Sequence, residues 1–304
     1  MSEVWEHIRS LVGWFWSPEP VNTVQEFFGP AWEPFFGAVA LLASAYAIAV
    51  VTSSALWFAG RRLAYLLLGA VAFESATNAL LWTLFGVHRP DAPEIIVRSH
   101  VGVSSFPSGH TVAAVVVWGY LAMSSRVPKV VPFLVVPLVM ISRLYLGAHY
   151  LGDVLASVLI GVVLLIVYLY LGPMILGWLE RLPFWLFLIL GLCAPFGILL
   201  FLGPSSRGLA FFSVALAAGI GLPLEYRYVR YKPTEAGFRR QLLKAVVGFA
   251  GMGALLLTYA LLRAAYPVLA YALLASAVLW GVLLAPALFG SEGLSTRRDG
   301  GRGA

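Results

Sequence analysis

Two histidines, two arginines and an aspartate stand in this chain at spacings suited to phosphate chemistry. His110 ends the run "FPSGH", where a long apolar stretch begins, and His149 lies four residues before Asp153 in "SRLYLGAHYLGD", Ser142 to Asp153. Arg143 is the second residue of that run, and Arg89 sits in "VHRPDAP", Val87 to Pro93. A guanidinium is always charged, planar, and matches phosphate oxygens in pairs. Ser108 and Gly109 precede the apolar stretch, so their backbone N–H groups and the helix dipole favour an anion there, and glycine allows the backbone close approach. Residues four apart at a helix start share a face. Asp153 is thereby expected to orient the His149 imidazole and stabilise its cation, which makes His149 a candidate nucleophile. His110 is left to protonate the leaving oxygen and later to activate water. No cluster of Asp, Glu or His has metal-ligand spacing, so neither a metal nor another cofactor is expected, and the arginines supply the positive charge.

The elements that must position these residues are membrane helices. The chain has 304 residues, 61% hydrophobic and only 11% charged. Soluble domains carry roughly 45–50% apolar and about 25% charged residues. An all-α polytopic membrane protein follows, with about nine spans: 35–58, 62–85, 110–124, 128–142, 151–171, 183–202, 208–226, 242–262 and 267–289. The third and fourth are short, as expected beside a polar site. Val4 to Trp16 interleaves aromatic and charged residues and reads as an interfacial amphipathic helix. The division expected is an interfacial N-terminal segment (1–31), a catalytic membrane core (32–172), additional C-terminal helices (173–290) and a disordered Gly- and Arg-rich tail (291–304).

Charge sets orientation. With the N-terminus outside, fourteen of the twenty Lys and Arg residues fall in cytoplasmic segments. The three chemistry-bearing runs then share the extracytoplasmic face. The net charge of +6 is spread over membrane loops and indicates no nucleic-acid partner. The single cysteine, Cys193, permits no internal disulfide. Nothing in the sequence specifies an oligomeric state. Glu74 and Asn78 lie inside the second span and are expected either to serve function or to bond between helices. "GFAGMG", Gly248 to Gly253, reads as close helix packing.

"PSGH" at 107–110 and the pattern Ser-Arg-x5-His-x3-Asp at 142–153 resemble the second and third signature motifs of the type 2 phosphatidic acid phosphatase superfamily. That group includes lipid phosphate phosphatases, glucose-6-phosphatase, sphingosine-1-phosphate phosphatases and vanadium haloperoxidases. The resemblance covers roughly residues 62 to 170, and the span count and the wording "SRLYLGAH" look closer to the glucose-6-phosphatase and sphingosine-phosphatase branch. It implies a phosphohistidine at His149, acid–base work by His110, and phosphate contacts from Arg89, Ser108, Gly109 and Arg143. One position departs. The family's first motif is Lys-x6-Arg-Pro, and here Trp82 stands seven before Arg89; allowing one inserted residue puts Leu81 there instead. His88 and Arg98 are the nearby cations able to substitute.

The expected function is metal-independent hydrolysis of a lipid phosphate at the outer membrane surface. Polyprenyl phosphate or diphosphate, phosphatidate-like lipid and sphingoid-base phosphate are the candidate substrates. Two alternatives accompany it: a lipid phosphotransferase using the same phosphohistidine, and a catalytically silent scaffold or transporter.

Overall fold

Backbone N–H and C=O groups have no water to bond with inside a bilayer, so apolar segments of this length satisfy them internally as helices. The computed structural model describes residues 12–99, 104–233 and 237–295, and among these the regular elements are all helical. They are α1 (Glu19–Phe28), α2 (Glu33–Leu41), α3 (Ala45–Ser54), α4 (Arg61–Phe85), α5 (Gly109–Met123), α6 (Val130–Tyr145), α7 (Leu151–Leu179), α8 (Phe184–Leu202), α9 (Ser206–Leu224), α10 (Phe238–Leu262), α11 (Pro267–Leu279) and α12 (Ala285–Ser295). Each of the nine apolar segments expected from sequence is helical, but they are not all alike. Among the described residues five helices are long and apolar enough to cross a membrane, or up to six if the pair Pro30–Leu41 and Ala45–Ala59, bent by 46°, is one span. Gly109–Met123, Val130–Tyr145 and Phe184–Leu200 are apolar but shorter. The protein is an integral, multi-pass membrane protein.

Two compact units divide the chain: residues 1–48 with 67–174, and residues 49–66 with 175–304. In the first, Val39, Ala43, Ala114, Val115, Val136 and Val139 form one buried cluster joining α2, α5 and α6. A second cluster, with Val21, Ile95, Leu144, Tyr150 and Val154, ties α1 to the two ends of the loop between α6 and α7. Phe36 stacks on Tyr145, ring centroids 4.5 Å apart, and fixes α2 against the end of α6. On α7, Leu159, Val163, Ile166, Tyr170 and Met174 are exposed along one stripe, the surface expected to meet lipid.

The second unit is held by tryptophans bonding to helix backbone. Trp57 donates Nε1–H to the Gly281 carbonyl (2.9 Å), and Trp280 donates to the Gly248 carbonyl (2.9 Å). A Cβ on Gly248 would lie 2.4 Å from the Trp57 ring, and one on Gly251 as close to Trp280. The "GFAGMG" run is therefore a packing surface. Most of the expected interfacial helix Val4–Trp16 lies outside the described residues; its end, Gly13–Trp16, is a single 3₁₀ turn. At the other terminus α12 runs to Ser295, and the remainder of the tail lies outside the described residues.

Candidate active site

All the residues singled out for chemistry belong to the first unit. The segment 104–107 lies along 87–89: Ser105 N–H donates to the Val87 carbonyl (2.7 Å), and Val87 N–H donates to Ser104 Oγ (2.9 Å). Arg89 is thereby set against the α6–α7 loop, donating to the carbonyls of Ala148 (2.6 Å) and Ser104 (3.1 Å). That loop needs Gly147, whose φ is +63° and whose Cβ, if present, would sit 2.6 Å from the Ile96 carbonyl. Gln25 of α1 clamps the same place, donating to the carbonyls of Ile96 (2.8 Å) and Tyr145 (2.9 Å) and accepting from Ile96 N–H (3.0 Å).

His149 is buried within this frame. Its Nδ1 lies 2.8 Å from the Ser105 carbonyl, which can only accept, so the proton is on Nδ1 and Nε2 carries the lone pair. Arg89 Nη1 approaches that Nε2 at 3.3 Å. Burial foremost, then the charges of Arg89, Arg143 and His110, hold the imidazole pKa well below its usual range. The neutral ring is a ready nucleophile.

Asp153 differs from its expected place. Its nearest oxygen is 3.9 Å from His149 Nδ1, beyond a hydrogen bond. The reason is local: α7 begins at Leu151, so His149 precedes the helix and the i, i+4 geometry does not hold. The carboxylate instead accepts from the Ser105 hydroxyl, Tyr150 N–H (3.0 Å) and the Trp16 indole (3.0 Å). Asp153 fixes Ser105, and the Ser105 carbonyl fixes His149. Ser108 also differs. Its N–H donates to Ser157 Oγ (2.7 Å), and it makes no side-chain cap for α5. The Ser108 N–H is thus engaged within the protein, and α5 itself begins at Gly109.

Trp82, seven residues before Arg89, is structural. Its indole donates to the Pro107 carbonyl (2.8 Å), and its ring would be 3.0 Å from a Cβ on Gly109. It supports the "PSGH" turn from beneath. Glu74 and Asn78 lie on the same face of α4, and Glu74 accepts from Asn78 Nδ2 (2.6 Å) and Ser75 Oγ (3.0 Å).

A cavity of ≈ 690 Å³ opens at this site. His110, Arg143, Arg98 and Ser99 line one side, and Glu33, Gly37 and Leu41 of α2 the other. Arg143 is 2% exposed, yet its Nε and Nη2 have no hydrogen-bond partner. Arg89, His149 and Asp153 are not among the described residues lining it. His88 is exposed. Among the described residues no three His, Cys, Asp or Glu side chains converge as metal ligands.

Comparison with known proteins now decides the family. Residues 62–176 match the PAP2 superfamily model, and residues 209–297 match the PAP2 superfamily phosphatase, transmembrane extension. The chain belongs to the PAP2 superfamily. Relatives include the decaprenylphosphoryl-5-phosphoribose phosphatase of Mycolicibacterium smegmatis, 34% identical over 114 residues, which are 36% of this chain and 61% of the relative. A protein of the same name from Mycobacterium tuberculosis is 34% identical over 103 residues, 33% of this chain and 57% of the relative. The chain thus spans about three fifths of the length of the curated relatives it matches. No solved structure matches it. The first PAP2 match encloses Arg89, His110, Arg143, His149 and Asp153. It leaves out Trp16, Gln25 and Glu33, which reach the site from the N-terminal segment.

Proposed function

We propose that this protein is a membrane phosphatase that hydrolyses a lipid phosphate through a phosphohistidine at His149. The observation that carries the reading is Arg143. A guanidinium cannot shed its charge in a protein, and a buried charge without a partner is strongly unfavourable. With two buried nitrogens unpaired beside a cavity that also holds His110, Arg143 calls for an anion. Arg89 supplies the second cation, and the start of α5 at Gly109 adds the positive end of the helix dipole.

The chemistry follows from the tautomer. Phosphate arriving at His149 exchanges the Arg89–Nε2 contact for one from Arg89 to a phosphate oxygen. Nε2 then attacks phosphorus, an N–P bond forms, and the O–P bond to the alcohol breaks as His110 protonates the departing oxygen. The imidazole becomes cationic while its Nδ1–H is held by Ser105, itself tied to the Asp153 carboxylate. His110, now neutral, takes a proton from water, which attacks phosphorus and releases His149.

A membrane site suits an amphiphile, and the mycobacterial relatives, named for a decaprenylphosphoryl-phosphoribose substrate, favour a polyprenyl-type lipid. The site faces away from the cytoplasm, as the basic residues direct. On this reading 32–172 is the catalytic core, 173–290 an additional membrane part, and 1–31 a segment that completes the site. The test is phosphate release by the purified protein from a panel of lipid phosphates, with and without EDTA, alongside labelling from a radioactive substrate. Activity that survives EDTA and an acid-labile, base-stable label absent in His149→Ala are expected. Full activity in His149→Ala would end the mechanism.

A further inference from the structure

The cavity holds a second guanidinium whose counter-ion is held far less firmly than the guanidinium itself. Arg98 is anchored: Nη1 donates to the Tyr145 carbonyl at 3.2 Å, and its centre lies 4.6 Å over the Tyr145 ring. Gln25 holds that same Tyr145 carbonyl, so the anchor is itself braced. The ion-pair partner is Glu33, 3.3 Å from Arg98 Nε, and the two side chains are 56% and 8% exposed for Glu33 and Arg98 respectively. A carboxylate so exposed gains little from one such contact. Glu33 is also the first residue of α2, where the helix dipole favours a negative charge whether or not Arg98 is engaged. It is free to leave without losing all its stabilisation. Both Arg98 and Arg143 line the one cavity.

We propose that Arg98 is a second anion subsite, and that Glu33 occupies it as a place-holder until a substrate carrying two phosphate groups displaces it. The inference rests on the phosphatase reading and narrows its substrate class. The preferred lipid bears a second anionic phosphate close to the one removed. Two sources share that chemistry: a lipid diphosphate, and a terminal phosphomonoester beside a phosphodiester. Arg143 with Arg89 takes the departing group, and Arg98 takes the one that stays.

The test does not need turnover. Full-length protein in detergent is titrated by calorimetry with methylenediphosphonate and, separately, with orthophosphate at one ionic strength. The wild type should bind the diphosphonate more tightly by about tenfold or more, the worth of one charge-assisted contact. Arg98→Gln should erase the difference while leaving orthophosphate binding intact, and Glu33→Gln should tighten the diphosphonate alone. Equal weakening of both ligands in Arg98→Gln would overturn the proposal. So would a Glu33→Gln protein that binds the diphosphonate no better than wild type. Glu33 is exposed, so this second variant decides the matter even if Arg98→Gln fails to fold. Turnover then separates the sources. KM is compared for farnesyl diphosphate and for a phosphodiester lipid ending in a phosphomonoester, in wild type and Arg98→Gln. A KM raised for neither by the substitution counts against the subsite. If no lipid releases phosphate, the phosphatase reading fails while the binding result stands by itself.

Discussion

In the proposed mechanism His149 is oriented by a relay through Ser105 and Asp153, and either of those two side chains can be removed singly. The Ser105 hydroxyl bridges Asp153 to the backbone carbonyl that holds His149. Were Asp153 the direct orienter, deleting the hydroxyl would barely matter. Through the relay it must, since a buried carboxylate that loses a donor pays on the order of 1–3 kcal/mol. Ser105→Ala is therefore expected to lower kcat about tenfold with KM nearly unchanged, and steady-state kinetics on a soluble short-chain substrate reads this directly. Asp153→Asn is expected to cost more, on the order of 10²-fold. The carboxylate faces three donors, and an amide cannot accept from all of them without turning its own N–H toward one. The imidazole makes a pH prediction as well. Burial, Arg89, Arg143 and His110 all lower its pKa, so folded His149 stays neutral below the ordinary imidazole value of about 6.5. The unfolded chain takes up that proton first, and stability should therefore fall as pH drops below about 6.5. Nitrogen NMR of labelled histidine should show one ring uncharged at that pH. In Arg89→Gln its titration should move upward.

At the scale of elements, the N-terminal segment belongs to the same compact unit as the proposed catalytic residues. Trp16 reaches Asp153 only because residue 152 is glycine: a Cβ there would lie 2.4 Å from the indole. Two different substitutions should break one contact. Trp16→Phe keeps an aromatic ring but removes the indole N–H; Gly152→Ala keeps the N–H and displaces the indole. Both are expected to lower kcat by about 10- to 100-fold, the range of a hydrogen bond to a charged group, and to change KM little. Equal KM and kcat effects, or an unaffected Gly152→Ala, would make the contact incidental. This segment also marks where sequence reading stopped. His110, Arg143 and His149 stand out in the sequence because their types and short spacings suit phosphate chemistry, and the fold brings them within electrostatic reach of one another. The apolar segments were legible because a bilayer demands length and hydropathy. Trp16, Gln25 and Ser105 act through partners 137, 71 and 48 residues away, and no local pattern announces a contact of that kind. The indirect His149–Asp153 link is hidden for a related reason: a spacing of four implies a shared helix face only inside a helix, and α7 begins two residues after His149.

For the whole molecule, the proposed reading carries an expected depth and side for the chemistry, argued from helix length and charge. α5 has 15 residues and α6 has 16. At about 1.5 Å per residue each is roughly 22–24 Å long, short of a hydrocarbon core about 30 Å thick. The turn joining them carries Arg126 and Lys129, which belong at the cytoplasmic interface by the positive-inside rule. With that end anchored, the opposite ends, carrying His110 and Arg143, stop short of the far headgroups. On the proposed topology the site is expected at the level where a lipid's ester and first carbons lie, so that the proposed substrate need not leave the bilayer. Side and depth are tested separately by thiol labelling in a Cys193→Ser background, because the native cysteine is exposed. Glu94→Cys, at an exposed loop position beside the site, should react with an impermeant maleimide on intact cells. Lys129→Cys, exposed in the α5–α6 turn, should react only after permeabilisation. Leu41→Cys on the cavity wall should resist the charged reagent and accept a membrane-soluble one, as a site opening into lipid requires. Labelling of Lys129→Cys from outside, with Glu94→Cys protected, would invert the topology and move the proposed hydrolysis to the cytoplasmic leaflet.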